Sequence, residues 1–324
     1  MNFNKSSMSL VYSHSKRLLQ RKLNRIMASQ ESYESSNLMQ NQSDKWFNRY
    51  EHVNKIDGLF QGVSDRFQGI TVDSIVECCD DVQTFDNTLA KSLEHWIEQK
   101  RRAIWFKVYR EQSTWIPTLV KNDFKFHHAR EDFVMMYKWL PENESITVPP
   151  FAHTMVGVGA LVINDKNQVL VVSERNALIP NSWKLPGGYC EMKENLIEAA
   201  IREVQEETNI QTKFESLVSV LAVRHAHSAA FNCSDLYFIM KLIPLTEEIT
   251  KCDREIAKCC WMDVDEYLTH DRVHETNRSF VDHWLKLKNK GLTLDVVDKT
   301  HKLLNRDYQI FYPKNADEES KSDK

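Results

Sequence analysis

Six glutamates and one arginine lie in the run GGYCEMKENLIEAAIREVQEETNI, from Gly187 to Ile210. Read as a helix from Leu196 to Thr208, at about 100° per residue, the run places Glu203, Glu206 and Glu207 within an arc of roughly 100°. Leu196, Ile197, Ala200, Ile201 and Val204 fall on the neighbouring arc. One stripe then packs on a sheet while the adjacent stripe carries three carboxylates. Like charges at that spacing repel by a few tenths of a kcal/mol per pair, so a positive partner is expected. Oxygen donors of this kind suit a hard divalent cation, Mg2+ or Mn2+. Gly187 and Gly188 let the backbone turn sharply and approach closely, and the Gly188 carbonyl would add one more oxygen ligand. The start of the helix favours an anion such as phosphate. Carboxylates, a divalent cation and a phosphate seat are the equipment for hydrolysing a phosphoanhydride. The cation neutralises phosphate oxygens and acidifies a bound water, and a glutamate not fully engaged as a ligand takes the proton. The plainer alternative is a solvated acidic face, and three glutamates alone do not separate the two.

The full spacing does separate them. Gly188, five residues, Glu194, seven residues, Arg202-Glu203, aliphatic Val204, one residue, Glu206-Glu207, one residue, position 209 and aliphatic Ile210 form one pattern. It resembles the Nudix box, the signature of hydrolases of nucleoside diphosphates linked to a moiety X. The one departure is Asn209, where the family has glycine; asparagine is the next-best residue for the left-handed conformation common just past a helix. The resemblance implies that Glu203, Glu206 and Glu207 ligate the metal with the Gly188 backbone, and that Glu203 doubles as general base. It also implies that Glu194 and Arg202 form a structural pair, with Arg202 orienting the ligand carboxylates by charge-assisted hydrogen bonds.

FKFHHA at 124–129, WKLPGG at 183–188, RHAHSAAFNCSDLYFIMKL at 224–242 and CCWMD at 259–263 extend the likeness over roughly residues 57–312. They resemble the branch of the family that holds the animal antisense fibroblast growth factor Nudix proteins, linked to control of cell proliferation, and plant enzymes that hydrolyse ADP-ribose and NADH. This implies an α/β (α+β) chain: a Nudix α/β/α sandwich preceded by a smaller acetyltransferase-like α+β domain. The implied function is a Mg2+-dependent pyrophosphohydrolase of ADP-ribose or NADH. The alternatives are the same chemistry on RNA caps or CoA derivatives, and a regulatory or binding role with weak activity. Between Gly69 and Gly157 the chain has no glycine, which argues against the pyrophosphate-holding turn of an acetyl-CoA site. His127-His128 reads as a structural pair, since no second constellation accompanies it.

The elements that must position these residues are legible as patterns. Residues 1–50 carry Lys5, Lys16, Arg17, Arg21, Lys22 and Arg25 before the first acid, Glu31, with Leu19, Leu23, Ile26 and Met27 at helical spacing. A mitochondrial presequence and a basic leader with no address fit equally, so localisation reads as mitochondrial or cytoplasmic/nuclear. Residues 57–147 read as a small α+β unit. Within it, GITVDSIV is a strand or strand–turn, and Leu89, Leu93, Trp96 and Ile97 line a helix. AIWFKVY is a buried strand, QSTWIPTLVKNDF a short helix behind a serine or threonine cap, and FKFHHAREDFVMMYKWL one or two strands. PENESITVPPF is a linker.

Residues 151–288 read as the second domain. It opens with two apolar runs around DKNQ taken as a hairpin, and continues with strands on both sides of the acidic helix and two further helices. Residues 289–324 read as an extension with apolar residues enough to dock back, ending in a solvated tail.

Arg224 and His225, with His227, are candidates to meet the diphosphate or ribose, and Trp183 and Phe231 to stack a base. The NADH signature SQPWPFPxS is absent, as is the proline about sixteen residues past the box that many ADP-ribose enzymes carry. The sequence therefore leaves X open. At 324 residues and net charge −4 the chain has no global basic field, so a small nucleoside diphosphate derivative is favoured over RNA. No apolar run approaches the ~20 residues of a spanning helix, so no membrane partner is expected, and a homodimer stays open. Seven cysteines without a C-x-x-C pair read as reduced thiols.

Overall fold

The computed structural model describes residues 56–227 and 233–315, with backbone alone for 224–227. The basic leader and the acidic end of the tail lie outside the described residues. The chain divides into two compact units, Met1–Phe151 and Ala152–Lys324.

The first unit contains β1 (Val63–Ser64), β2 (Ile70–Asp73), α1 (Val82–Glu98), β3 (Ala103–Tyr109), α2 (Ile116–Lys121), β4 (Lys125–Ala129) and β5 (Phe133–Trp139). Its sheet runs β1-β2-β3-β5-β4. β2 and β3 are parallel, so α1 serves as the crossover between them. Phe85, Leu89, Leu93 and Trp96 bury one stripe of α1 against Ile104, Phe106 and Val108 of β3. Ile97, expected in that stripe, is 58% exposed: it lies at the edge of the arc, where the sheet no longer reaches. Ser113 and Thr114 do not cap the short helix; they sit in a 3-10 turn, and Pro117 in the first turn of α2 starts it without a side-chain cap. The start of α1 is closed by its own carboxylate, Asp81, which accepts from Thr84 N at 2.8 Å. An anion already fixed there disfavours a pyrophosphate at that end.

The second unit contains β6 (Thr154–Val162), β7 (Gln168–Glu174), β8 (Gly187–Tyr189), α3 (Leu196–Thr208), β9 (Thr212–His227), β10 (Cys233–Pro244) and β11 (Ile256–Asp263). α4 (Val264–Thr269), α5 (Glu275–Asn289), β12 (Leu292–His301) and β13 (Arg306–Asn315) complete it. A six-stranded sheet runs β13-β12-β9-β10-β6-β8, and β11 pairs with β7. α3 packs on one face through Ala199, Ala200 and Val204 against Val158, Ala160, Val162 and Met240. α4 and α5 cover the other through Tyr267, Phe280, Val281 and Trp284 against Leu161, Val218 and Ile239. These layers make the expected α/β/α sandwich.

The expected hairpin around DKNQ is not one sheet. β6 and β7 pair antiparallel only beside the turn, through the bridge Ile163↔Val169 and Asn164 N to Gln168 O at 3.0 Å; β6 then pairs with β10 and β8, and β7 with β11. Both strands are buried on both faces along most of their length, so each needs its own pair of covering layers, and the two part company after the turn. The C-terminal extension forms the β12–β13 hairpin and joins the sheet beside β9, with Leu294 opposite Leu217. Among the described residues no helix is long and apolar enough to cross a membrane.

α3 is held at both ends by its own side chains. Asn195 accepts from Glu198 N at 2.9 Å, and Glu198 reaches back to Asn195 N at 3.4 Å, closing a capping box. Asn209 ends the helix at φ 62, ψ 14, and accepts from Gln205 Nε2 at 2.9 Å. Asn209→Ala should therefore cost about 1 kcal/mol of unfolding free energy, and Asn209→Gly less than about 0.5, read by urea denaturation.

Candidate active site

Two glycines set the floor of the site. Gly187 sits at φ 152, and a Cβ there would lie 2.1 Å from Val158 O on β6. A Cβ on Gly188 would lie 2.5 Å from Glu203 Oε1. The first glycine lets β8 close onto β6, and the second lets the α3 carboxylate close onto β8. Gly157 and Gly159 of β6 do the same for Tyr237 of β10, whose ring would meet their Cβ atoms at 2.8 Å and 2.7 Å. The Tyr237 hydroxyl lies 2.7 Å from where a Cβ of residue 187 would be. Burial, then Glu207 and Glu203, push the Tyr237 phenol well above its usual range.

Arg202 organises the acids. Nε and Nη2 grip Glu194 at 2.7 and 2.9 Å, and Nη1 donates to Glu203 at 2.9 Å and Glu206 at 3.1 Å. Nη2 also donates to Tyr189 O at 3.1 Å. All five guanidinium donors are thereby used. The Arg202 hydrogen bonds hold the Glu194 carboxyl below its ordinary value.

The three candidate ligands lie at graded depth. Glu206 has a side chain 61% exposed, Glu203 one 14% exposed, and Glu207 is 5% exposed overall. Glu207 accepts from Gly187 N at 3.0 Å. Burial pushes its pKa from 4.5 up to about 7; Lys184 and the Gly187 N–H hold it down, while Glu203 and Glu174 push it further up. Burial also raises Glu203, against the pull of Arg202.

Lys184 is the residue that the sequence reading missed. Its ammonium pairs with Glu174 of β7 and lies 3.4 Å from Gly187 O, while its backbone bonds Val172 in both directions at 3.0 Å. The Gly187 carbonyl thus faces Lys184 and the Tyr189 carbonyl faces Arg202. Gly187 and Gly188, the latter the expected ligand, stand in register with Gly159 and Val158 in the β6–β8 ladder. Periodicity had no means of finding Lys184 or Tyr237: the first is set by an isolated bridge to Val172, and the second reaches the cluster from β10.

The remaining candidates are not gathered there by any described contact. Arg224 and His225 lie on β9, with side chains outside the described residues, as are the side chain of His227 and the whole of Phe231. Trp183 packs against the core beneath α4 and α5. His127 and His128 lie in the first unit with Nδ1 atoms 2.7 Å apart; His127 Nε2 contacts Pro149 O at 2.8 Å and His128 stacks on Phe151 at 4.8 Å. That is a packed pair.

Among the described residues no three His, Cys, Asp or Glu side chains converge in ligating geometry; Glu203 and Glu206 are drawn onto Arg202, and Glu207 onto the Gly187 N–H. The donors still fit a hard divalent cation. They are carboxylate and carbonyl oxygens, and burial holds two of the carboxylates above their ordinary pKa despite Arg202 and Lys184, a cost that a bound cation would offset.

An acid-bearing helix closed onto a glycine turn within an α/β/α sandwich defines a hydrolase of the Nudix class. Residues 153–284 match the NUDIX domain family and residues 60–140 the Nudix hydrolase domain family. Nudix hydrolase 2 of Arabidopsis thaliana is 33% identical over 257 residues, 79% of this chain and 85% of that one. Nudix hydrolase 8 of the same plant is 37% identical, over 66% of this chain and 58% of its own length. The human nucleoside diphosphate-linked moiety X motif 6 is 36% identical, over 64% of this chain and 66% of that protein. The chain belongs to the Nudix hydrolase family. A solved NUDIX hydrolase from Nitrosomonas europaea aligns at 23% identity and TM-score 0.36, covering 41% of this chain and 89% of that one.

The raised pKa of Glu207 makes ionisation cost stability. Metal-free protein should be most stable at low pH on this account and lose stability as pH rises from 4.5 through about 7. Mg2+ should flatten that loss, and Glu207→Gln should remove it, in thermal melts across pH. Gly187→Ala should cost more than about 2 kcal/mol of stability, because backbone blocks its Cβ. Gly188→Ala should fold and bind Mn2+ more weakly in a paramagnetic titration, because the Glu203 carboxylate must give way.

Proposed function

We propose that the protein is a divalent-metal-dependent pyrophosphohydrolase of a nucleoside diphosphate linked to X, with ADP-ribose or NADH as substrate. The observation that carries the chemistry is the graded trio Glu203, Glu206 and Glu207, closed onto Gly187 and Gly188 and aligned by Arg202. The likeness to the plant ADP-ribose and NADH enzymes supports the substrate. Glu203, Glu206, Glu207 and a carbonyl of the Gly187–Gly188 pair, Gly188 by the resemblance, would hold Mg2+ or Mn2+. When bound, the metal offsets phosphate charge and acidifies a coordinated water.

The chain's own residues supply the rest. Glu207, bonded to Gly187 N, fixes the depth of the site. Arg202 keeps Glu203 and Glu206 on one side of α3. Glu203, partly buried and raised in pKa by that burial, accepts the proton of the attacking water. The water oxygen bonds to one phosphorus, the P–O–P bridge breaks, and two monophosphates leave. Arg224 and His225 on β9 are the proposed contacts for the diphosphate or ribose.

Product release from ADP-ribose, NADH, NAD, CoA, a dinucleoside polyphosphate and a capped RNA, with Mg2+ or Mn2+, tests the reading. AMP from ADP-ribose or NADH should appear, and Glu206→Gln should lower the rate by about 100-fold or more. Release from capped RNA or CoA alone would reassign X. No turnover of any substrate by folded, metal-bound protein would overturn the enzymatic reading in favour of a regulatory role.

A further inference from the structure

A cavity in the second unit is built around a charge that the acidic cluster does not use. Lys241 of β10 is 4% exposed. An ammonium has three N–H donors, and here one meets Glu215 Oε2 at 3.0 Å and another meets Leu242 O at 3.0 Å. The third has no acceptor among the described residues. The carboxylate partner is a poor match for so deep a cation: the side chain of Glu215 is 40% exposed, that of Lys241 5%. Much of the attraction is therefore screened by solvent at the Glu215 end.

Lys241 borders a cavity of about 570 Å3 between the end of α5 and the sheet, a size within the range of small-molecule sites. Ser216 borders it too; it is 6% exposed, and its hydroxyl makes no hydrogen bond among the described residues. Lys288 of α5 adds a second ammonium, 4.9 Å over the Trp284 ring, with Lys241 5.8 Å from the same ring. Asp165, at the turn after β6, supplies a second acid to the lining; it is an exposed residue, unlike the buried lysine. Burial, and Lys288 with it, lower the pKa of Lys241 against the pull of Glu215. An added negative charge would relieve that.

The cavity is separate from the acidic cluster. α3 lies on the face of the sheet opposite α5, and Lys241 is four residues along β10 from Tyr237, roughly 13 Å at strand rise. We infer that this cavity is a ligand site for a small oxyanion, a phosphate or carboxylate group received by Lys241, Lys288 and Ser216. The two lysines supply charge, the serine one directed hydrogen bond, and Trp284 an apolar wall.

The test uses the full-length, metal-free protein and two probes, inorganic phosphate and succinate, titrated by calorimetry with thermal melts alongside. At least one anion should bind and raise the melting temperature, and the tighter of the two names the head group. Ser216→Ala with Lys288→Met should weaken it about ten-fold or more, and Glu206→Gln should leave it unchanged. Lys241→Met should abolish it where the variant melts cooperatively; the double variant decides the matter if Lys241→Met does not fold. Heat from neither anion up to tens of millimolar would overturn the assignment. So would undiminished affinity in the double variant, or loss confined to Glu206→Gln, which would place the anion at the α3 cluster. None of these outcomes depends on turnover.

Discussion

The guanidinium of Arg202 is the interaction on which the site depends. Three carboxylates, Glu194, Glu203 and Glu206, converge on it with the Tyr189 carbonyl, at 2.7 to 3.1 Å. A lysine at that position offers three donors from a point and cannot address four groups spread around a plane. The fork also ties three segments together: the loop bearing Glu194, the end of β8 at Tyr189, and the second turn of α3. Charge repulsion along one helical stripe is thereby converted into a fixed array, because the like charges share a cation instead of facing each other.

Glycines do the complementary work by removing volume. Gly187 and Gly188 allow β8 to lie against β6 on one side and Glu203 on the other, and Gly157 and Gly159 admit the Tyr237 ring. Four of the eight glycines in the chain serve this one corner. The consequence is electrostatic. Close approach strips water from Glu207, Glu203 and Tyr237, and that burial is the leading cause of each raised pKa. The close packing that brings Glu203 and Glu207 to the glycine turn also makes them costly to charge.

How much of this could be read in the sequence depended on whether a feature is local. The 3.6-residue period of α3 placed its acids and most of its apolar stripe; Ile197 stays outside the core cluster and Ala199, a residue too small to mark a core by itself, joins it. The Glu194–Arg202 pair, eight residues apart, was legible from the box. Asn209 was legible as a left-handed terminus because its side chain can stand in for a missing glycine. Tyr237 was not legible, because it enters the cluster from a strand distant in sequence; Lys184, three residues before Gly187, was not, because only its bridge to Val172 and its pairing with Glu174 of β7 turn it into the cluster. Which carbonyl of the Gly187–Gly188 pair faces an ion is not a local property, because both residues stand in the same ladder with β6. The DKNQ hairpin holds only at its turn, for a related reason. Two continuous apolar runs around a turn describe two buried strands, and only the partners β10 and β11 show that they belong to different sheets.

The three acids of α3 lie at different depths. Glu207 is locked by Gly187 N and screened from solvent, so its charge responds to what else is bound and not to bulk salt. Glu206 is mostly exposed and keeps its freedom to turn away from Arg202. Glu203 stands between, shared by Arg202 and the floor of the site. A cation that drew all three inward would compete with Arg202 for Glu203 and Glu206, while Glu194 would keep its two bonds to the guanidinium. The bidentate Glu194 pair then anchors Arg202 while its other arm yields, which explains why a residue that ligates nothing occupies a fixed place in the pattern.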